Sequence, residues 1–215
     1  MLVLATLVAV PTSLVIRGIF FPPTLSVPSI KDDATYQDPA LLERAWHLPV
    51  AATYQRRLFF QPNGSVCGPT SVANVERSLG QESASVDSVL KGTGKCWTGM
   101  CLMGLSLDEL AEVARHATGR KVTLLRNFTL AQFREELTHV NDPSRRYIAN
   151  FSRAPLFAKG GGHHSPIAGY LEAEDLVLVL DVNEKFKPWL VKSERLFKAI
   201  DTGDADHKRG ILRIE

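Results

Sequence analysis

The chain has 215 residues, 45% of them hydrophobic, with 15 Gly and 12 Pro, which is ordinary globular usage with room for one large domain or two small ones and a real core. A formal net charge of +2, with no long run of like charge, excludes nucleic acid as the expected partner and points to a small one. Three cysteines are too few for a disulfide-built scaffold and lack the paired spacing of a structural zinc site, so the fold must stand on its core.

Leu2 to Ile16 is almost entirely apolar, broken by Thr6, Pro11, Thr12 and Ser13, followed by Arg17 and preceded by no Lys or Arg. Only the apolar stretch of a secretory signal is clear, and about 15 residues is short for a membrane span. Residues 1–21 are therefore expected to be an export signal or signal-anchor, giving a periplasmic protein or one anchored in the membrane and facing the periplasm. The alternatives are a start site placed too far upstream, which implies a cytoplasmic protein, and a buried terminal strand. Residues 22–44 carry four prolines and little periodicity, as a linker or wrapping arm would. A single domain, 45–215, follows.

Apolar positions Val72, Val75 and Leu79 predict a helix from Cys67 ending at Gly80. Ser106-Leu107-Asp108-Glu109 is a capping box that opens a second helix through Leu110, Val113, Ala114 and Ala117 to Gly119; Thr129 to Gln132 opens a third through Phe133 and Leu137. The period then changes. Arg146–Phe151, Ser165–Leu171, Leu176–Val182 and Gly210–Ile214 read as strands, with one helix over Ser193–Ile200. Helices followed by a mostly antiparallel sheet make an α+β layout, the helical first half packed on the sheet of the second.

The chemistry starts at Gln61-Pro62-Asn63-Gly64-Ser65-Val66-Cys67-Gly68. A thiol at a helix N-terminus lies at the positive end of the macrodipole, which favours thiolate and makes Cys67 a candidate nucleophile. Position alone favours a buried, inert cysteine, and it is the rest of the constellation that changes the reading. A thiolate nucleophile needs an imidazole and a group that fixes its tautomer. His163 and Asp181 flank two apolar runs, and a hairpin centred on residue 172 would set them opposite each other. His164 competes with His163; alternation along a strand lets only one of the two aim at the sulfur. Gln61 can supply an amide beside the Cys67 backbone N–H for a developing oxyanion. Gln, then Cys, then His, then Asp resembles the chain order of papain-like enzymes, although the local peptidase signature C-G-[SA]-C-[WY] is absent.

These residues, with Gly162-His163, Ser165-Pro166, Tyr170, Leu180-Asp181-Val182 and Lys208-Arg209-Gly210, resemble the phytochelatin synthases, specifically short bacterial members consisting of the catalytic domain alone. The resemblance covers roughly 45–215 and implies a papain-like fold. The family's G-H-F-S-P pattern selects His163 and puts His164 at the aromatic position. By resemblance Cys67, His163 and Asp181 form the triad, Gln61 is the oxyanion donor, and Gly162, Asn150, Arg153, Asp204 and Arg209 bind substrate. The substrate implied is glutathione, whose γ-glutamylcysteinyl group passes to the thiolate with release of glycine and then to water or a second glutathione.

No cofactor is required by this expectation; Cd²⁺ or Zn²⁺ enters as an activator or as the metal–glutathione thiolate. The stretch Asp181 to Trp189 departs from the arginine- and tyrosine-containing segment of the plant enzymes, which favours hydrolysis to γ-glutamylcysteine over phytochelatin synthesis. Cys96 and Cys101 are expected to be free thiols, a disulfide, or ligands for a soft metal. A cysteine peptidase or amidase acting on another small peptide, and a non-catalytic metal- or thiol-binding protein, are the alternative functions. Homodimer formation stays open.

Overall fold

The computed structural model describes residues 23–96, 101, 104–204 and 206–215. The apolar segment 1–21 lies outside the described residues. Eight α-helices are seen among the described residues: α1 (Pro39–Trp46), α2 (Pro49–Thr53), α3 (Cys67–Ser78), α4 (Val86–Leu90), α5 (Leu107–Thr118), α6 (Leu130–Thr138), α7 (Ala154–Phe157) and α8 (Ser193–Ile200). The strands are β1 (Val122–Leu125), β2 (Arg146–Ser152), β3 (Gly162–Leu171), β4 (Leu176–Leu180), β5 (Pro188–Lys192), β6 (Gly203–Asp204), β7 (His207–Lys208) and β8 (Gly210–Ile214).

Local chemistry sets the helix ends. Ser106 accepts from the Glu109 amide while Glu109 reaches back to the Ser106 amide, and Thr129 with Gln132 repeats this reciprocal cap. α5 stops where Gly119 takes a left-handed φ of 63°, which a Cβ would disfavour. Its buried residues Leu107, Leu110, Ala111, Val113 and Ala114 recur at helical spacing and form one stripe.

Strands β1 to β5 and β8 form one sheet in the order β1-β8-β2-β3-β4-β5, every neighbouring pair antiparallel. Helices cover both faces. On one, α6, α8 and residues 30–36 pack on Tyr147, Ala149, Phe151, Val177, Val179 and Trp189. On the other, α3, α4 and α5 meet Ile148, Leu212 and Ile214, while α1 and α2 meet Ala168, Leu178 and Leu190. The sheet is buried on both sides, which is why its central runs are apolar without alternation.

Residues 23–44, expected to be a linker or wrapping arm, lie against the core. Leu25 N donates to Ala158 O at 2.7 Å, Leu190 N to Tyr36 O at 2.8 Å, and the Tyr36 ring stacks on Trp189 at 6.4 Å. The hairpin register differs from a centre at residue 172. Leu171 pairs with Leu176 and Tyr170 with Val177, and a bulge between Ile167 and Gly169 resets the ladder to Ile167 opposite Val179. His163 and Asp181 are therefore not directly opposed; Asp181 lies just past the end of β4 and the two side chains meet on the diagonal.

Candidate active site

Cys67 is the first residue of α3, and Val66 before it has no side chain able to cap the helix. The first amides of α3 are thus left to the thiol and to any oxyanion formed beside it. The segment ahead is tied down at several points. Asn74, buried on α3, accepts from Phe59 N at 2.9 Å and donates to Phe59 O at 2.8 Å. Gln61 N donates to Val182 O at 2.8 Å, and Gln61 Oε1 is buried without a hydrogen-bond partner among the described residues.

His163 Nε2 lies 3.0 Å from Asp181 Oδ1. A carboxylate only accepts, so Nε2 carries the proton and Nδ1 is the nitrogen left for Cys67. Asp181 is fully buried and saturated with donors: Arg153 Nη2 reaches both oxygens at 2.9 Å, Trp189 Nε1 reaches Oδ2 at 3.0 Å, and Asn183 N reaches Oδ1 at 2.9 Å. Burial alone would raise this carboxyl; the His163 charge and hydrogen bond, then Arg153, outweigh it and hold it well below the usual carboxylate range. Burial likewise pushes the Cys67 thiol up, but the charge and hydrogen bond of His163, with those of His164, hold it well below the ordinary thiol range. For His163 burial favours the neutral ring, and Asp181 and Cys67 overcome burial and Arg153 to raise its pKa. The arrangement stabilises a thiolate–imidazolium pair, the resting state of a thiol nucleophile.

Three expectations are corrected. Both His163 and His164 act on Cys67: His164 Nδ1 lies 3.8 Å from Sγ, and the charge of His163 favours the thiolate at the same sulfur. Alternation governs the Cβ directions, but both rings sit at the first positions after Gly162 and converge on a sulfur at the strand's end. Arg153, expected to bind substrate, instead holds Asp181 and lies 3.9 Å over the Phe186 ring, because a fully buried carboxylate requires a cation. Cys96 and Cys101, carried as metal candidates, are joined in a disulfide and have no thiolate to offer. Among the described residues no group of three or more His, Cys, Asp or Glu could hold a metal ion.

Asn150, Asp204, Arg209 and Gly162 come together as one polar cluster. Asn150 Nδ2 donates to Asp204 Oδ2 at 2.7 Å, Arg209 Nη1 donates to Asn150 Oδ1 at 2.7 Å, and Arg209 Nη2 pairs with Asp204 Oδ1 at 3.1 Å. Gly162 faces this cluster because a Cβ there would run into the Arg209 guanidinium. Arg209 also lies within the electrostatic reach of Cys67. Trp189 and Asn74 were not singled out as site residues from the sequence. Trp189 is a strand residue eight positions from Asp181, and Asn74 lies among the mixed polar and apolar residues of α3, so neither stands out in the pattern.

The family model of phytochelatin synthase matches residues 32–211. The chain is 34% identical over 102 residues to glutathione gamma-glutamylcysteinyltransferase 1 of Triticum aestivum, an alignment covering 46% of this chain and 20% of that protein. It is 31% identical over 117 residues to glutathione gamma-glutamylcysteinyltransferase 1 of Arabidopsis thaliana, covering 52% and 24%. The matched region thus spans between a fifth and a quarter of the length of these relatives. In fold it is similar to a structure described as that of a C39-like peptidase from Bacillus anthracis, with a TM-score of 0.55 and 11% identity, covering 75% of this chain and 95% of that one. That likeness is one of fold alone.

Proposed function

The chain belongs to the phytochelatin synthase family, and from that premise we propose that it cleaves glutathione through a γ-glutamylcysteinyl thioester on Cys67, releasing glycine and passing the acyl group chiefly to water. The observation that carries this reading is the placement of His163 between Cys67 and Asp181, with the Asn150–Asp204–Arg209 cluster beside them. The Cys67 thiolate attacks the carbonyl of the Cys-Gly bond. Gln61 and the Cys67 backbone N–H receive the oxyanion. His163 gives its proton to the departing glycine amine, then takes one from the incoming water as the thioester opens and the thiolate returns. Asp204 suits the ammonium and Arg209 the carboxylate of the γ-glutamyl end.

Hydrolysis is favoured because the stretch after Asp181 serves the triad: Trp189 bonds Asp181, and Phe186 stacks under Arg153. These groups are not free to receive a second glutathione. Cd²⁺ or Zn²⁺ enters this reading as a glutathione thiolate complex, a form of the substrate, and no resident cofactor is invoked. The segment 1–21 is read as an export signal or anchor that places the enzyme on the periplasmic side. All the named groups come from one chain, so the chemistry does not call for a homodimer.

The test is to incubate the purified protein with millimolar glutathione, with and without Cd²⁺, and quantify glycine, γ-glutamylcysteine and longer oligomers. Equal glycine and γ-glutamylcysteine are expected, with neither formed by Cys67→Ala. Conversion of most consumed glutathione into oligomers would overturn the hydrolytic assignment. Cleavage of Cys-Gly peptides lacking the γ-linkage, with glutathione untouched, would assign a peptidase instead.

A further inference from the structure

The ring of His164 has no place in a three-residue mechanism, yet it is buried at 3% exposure with Nδ1 lying 3.8 Å from the nucleophilic sulfur. Its Nε2 is buried and has no hydrogen-bond partner among the described residues. His163 differs, since Asp181 fixes its tautomer. His164 pairs across the sheet with Asn150, a member of the Asn150–Asp204–Arg209 cluster, so the two side chains leave the sheet on the same face.

We propose that His164 is a second catalytic imidazole, donating from Nδ1–H to Cys67 Sγ so that the thiolate is held by two rings. The inference rests on Cys67 being the nucleophile and goes beyond that reading by assigning the neighbouring ring a task. During acylation His163 delivers its proton to the leaving amine and becomes neutral. In the second step His163 takes a proton from water, the carbon–oxygen bond forms and the carbon–sulfur bond breaks. The electron pair of that bond returns to sulfur as thiolate. His164 needs to transfer no proton in either step; its N–H lowers the cost of the charge that reappears on sulfur. A phenyl ring at this position would fill the space and supply no donor.

The titratable and charged groups around the sulfur are His163 and His164 from β3 and Arg209 from the turn before β8, itself paired with Asp204. Asp181 and Arg153 act on it through His163. The experiment follows the pH dependence of iodoacetamide alkylation of Cys67 in the unreduced whole chain by mass spectrometry, for the wild type, His164→Phe and His164→Asn. Each variant is first checked for a native thermal melt. Loss of a hydrogen bond to a charged group moves the midpoint by about one pH unit or more.

His164→Phe is therefore expected to titrate that much higher than wild type. His164→Asn, whose amide keeps a donor near the Nδ1 position, is expected to fall between the two. A His164→Phe curve superimposed on the wild type overturns the proposal, as does a wild-type midpoint at the ordinary thiol value. Since no glutathione is present, failure here is distinct from failure of the substrate assignment, which glycine release reads separately.

Discussion

Asp181 is the residue on which the site's electrostatics turn. Its carboxyl is held well below its ordinary value, so the stability it contributes is present above the unfolded-state value near 4 and is lost as pH falls through the folded value. Arg153→Ala leaves this buried carboxylate without its guanidinium and is expected to cost about 3–5 kcal/mol. Urea unfolding at pH 7 checks it, and a loss below about 1 kcal/mol, the range of an exposed pair, would contradict the geometry. The sequence placed Cys67 correctly because a helix start is a local feature. It also set His163 beside Asp181, and the two side chains do meet at 3.0 Å, but through a different hairpin register from the one expected. Arg153 was misassigned since nothing in spacing tells which carboxylate a guanidinium will meet.

Among the elements, α3 carries Cys67, the nucleophile of the proposed reaction, and also fixes the segment that presents Gln61. Asn74 performs the second task by pairing with both backbone groups of Phe59, two residues before Gln61. Asn74→Ala is expected to lower stability by about 1–3 kcal/mol, since the Phe59 groups lose their partners. It should also lower kcat more than it raises KM, because the oxyanion donor is loosened and not the substrate pocket. An equal melt and unchanged kcat would remove Asn74 from this role.

The capped helices and the long central strands were legible because caps and apolar runs are strong local signals. The edge strands β1 and β5 were not. Each pairs on one side only, β1 is four residues long and β5 begins at Pro188, which an edge tolerates. The short helices α2, α4 and α7 have too few turns to show a period, and α1, as long as α8, opens inside the proline-bearing stretch that reads as a linker.

At the scale of the whole molecule, helices bracket a six-stranded antiparallel sheet, with β6 and β7 forming a separate short pair, and the α+β layout was readable from where helical and strand patterns fall along the chain. Strand order was not, because β8 inserts between β1 and β2 through connections no local pattern encodes. The Cys96–Cys101 bridge braces the region ahead of the nucleophile: Cys101 packs with Val66, and its amide donates to Ser65 Oγ at 3.2 Å. The bridge closes a short loop of sequence separation 5, for which chain entropy predicts about 2 kcal/mol of stabilisation. Reduction should therefore lower Tm by roughly 4–8 °C in a chain of this size, read by melts with and without a non-substrate reductant. Identical melts would show that the bridge constrains nothing. The placement of β8 also has a consequence for biosynthesis. On the ribosome, helices α3 and α5 can form early, but β1 and β2 have no shared neighbour until residues 210–214 have been made. Strands β2 to β5 pair in chain order and can bring His163 to Cys67 before then, so what waits is β1 and the open edge of β2, and translation speed and chaperone access to that exposed edge should influence the yield of folded protein.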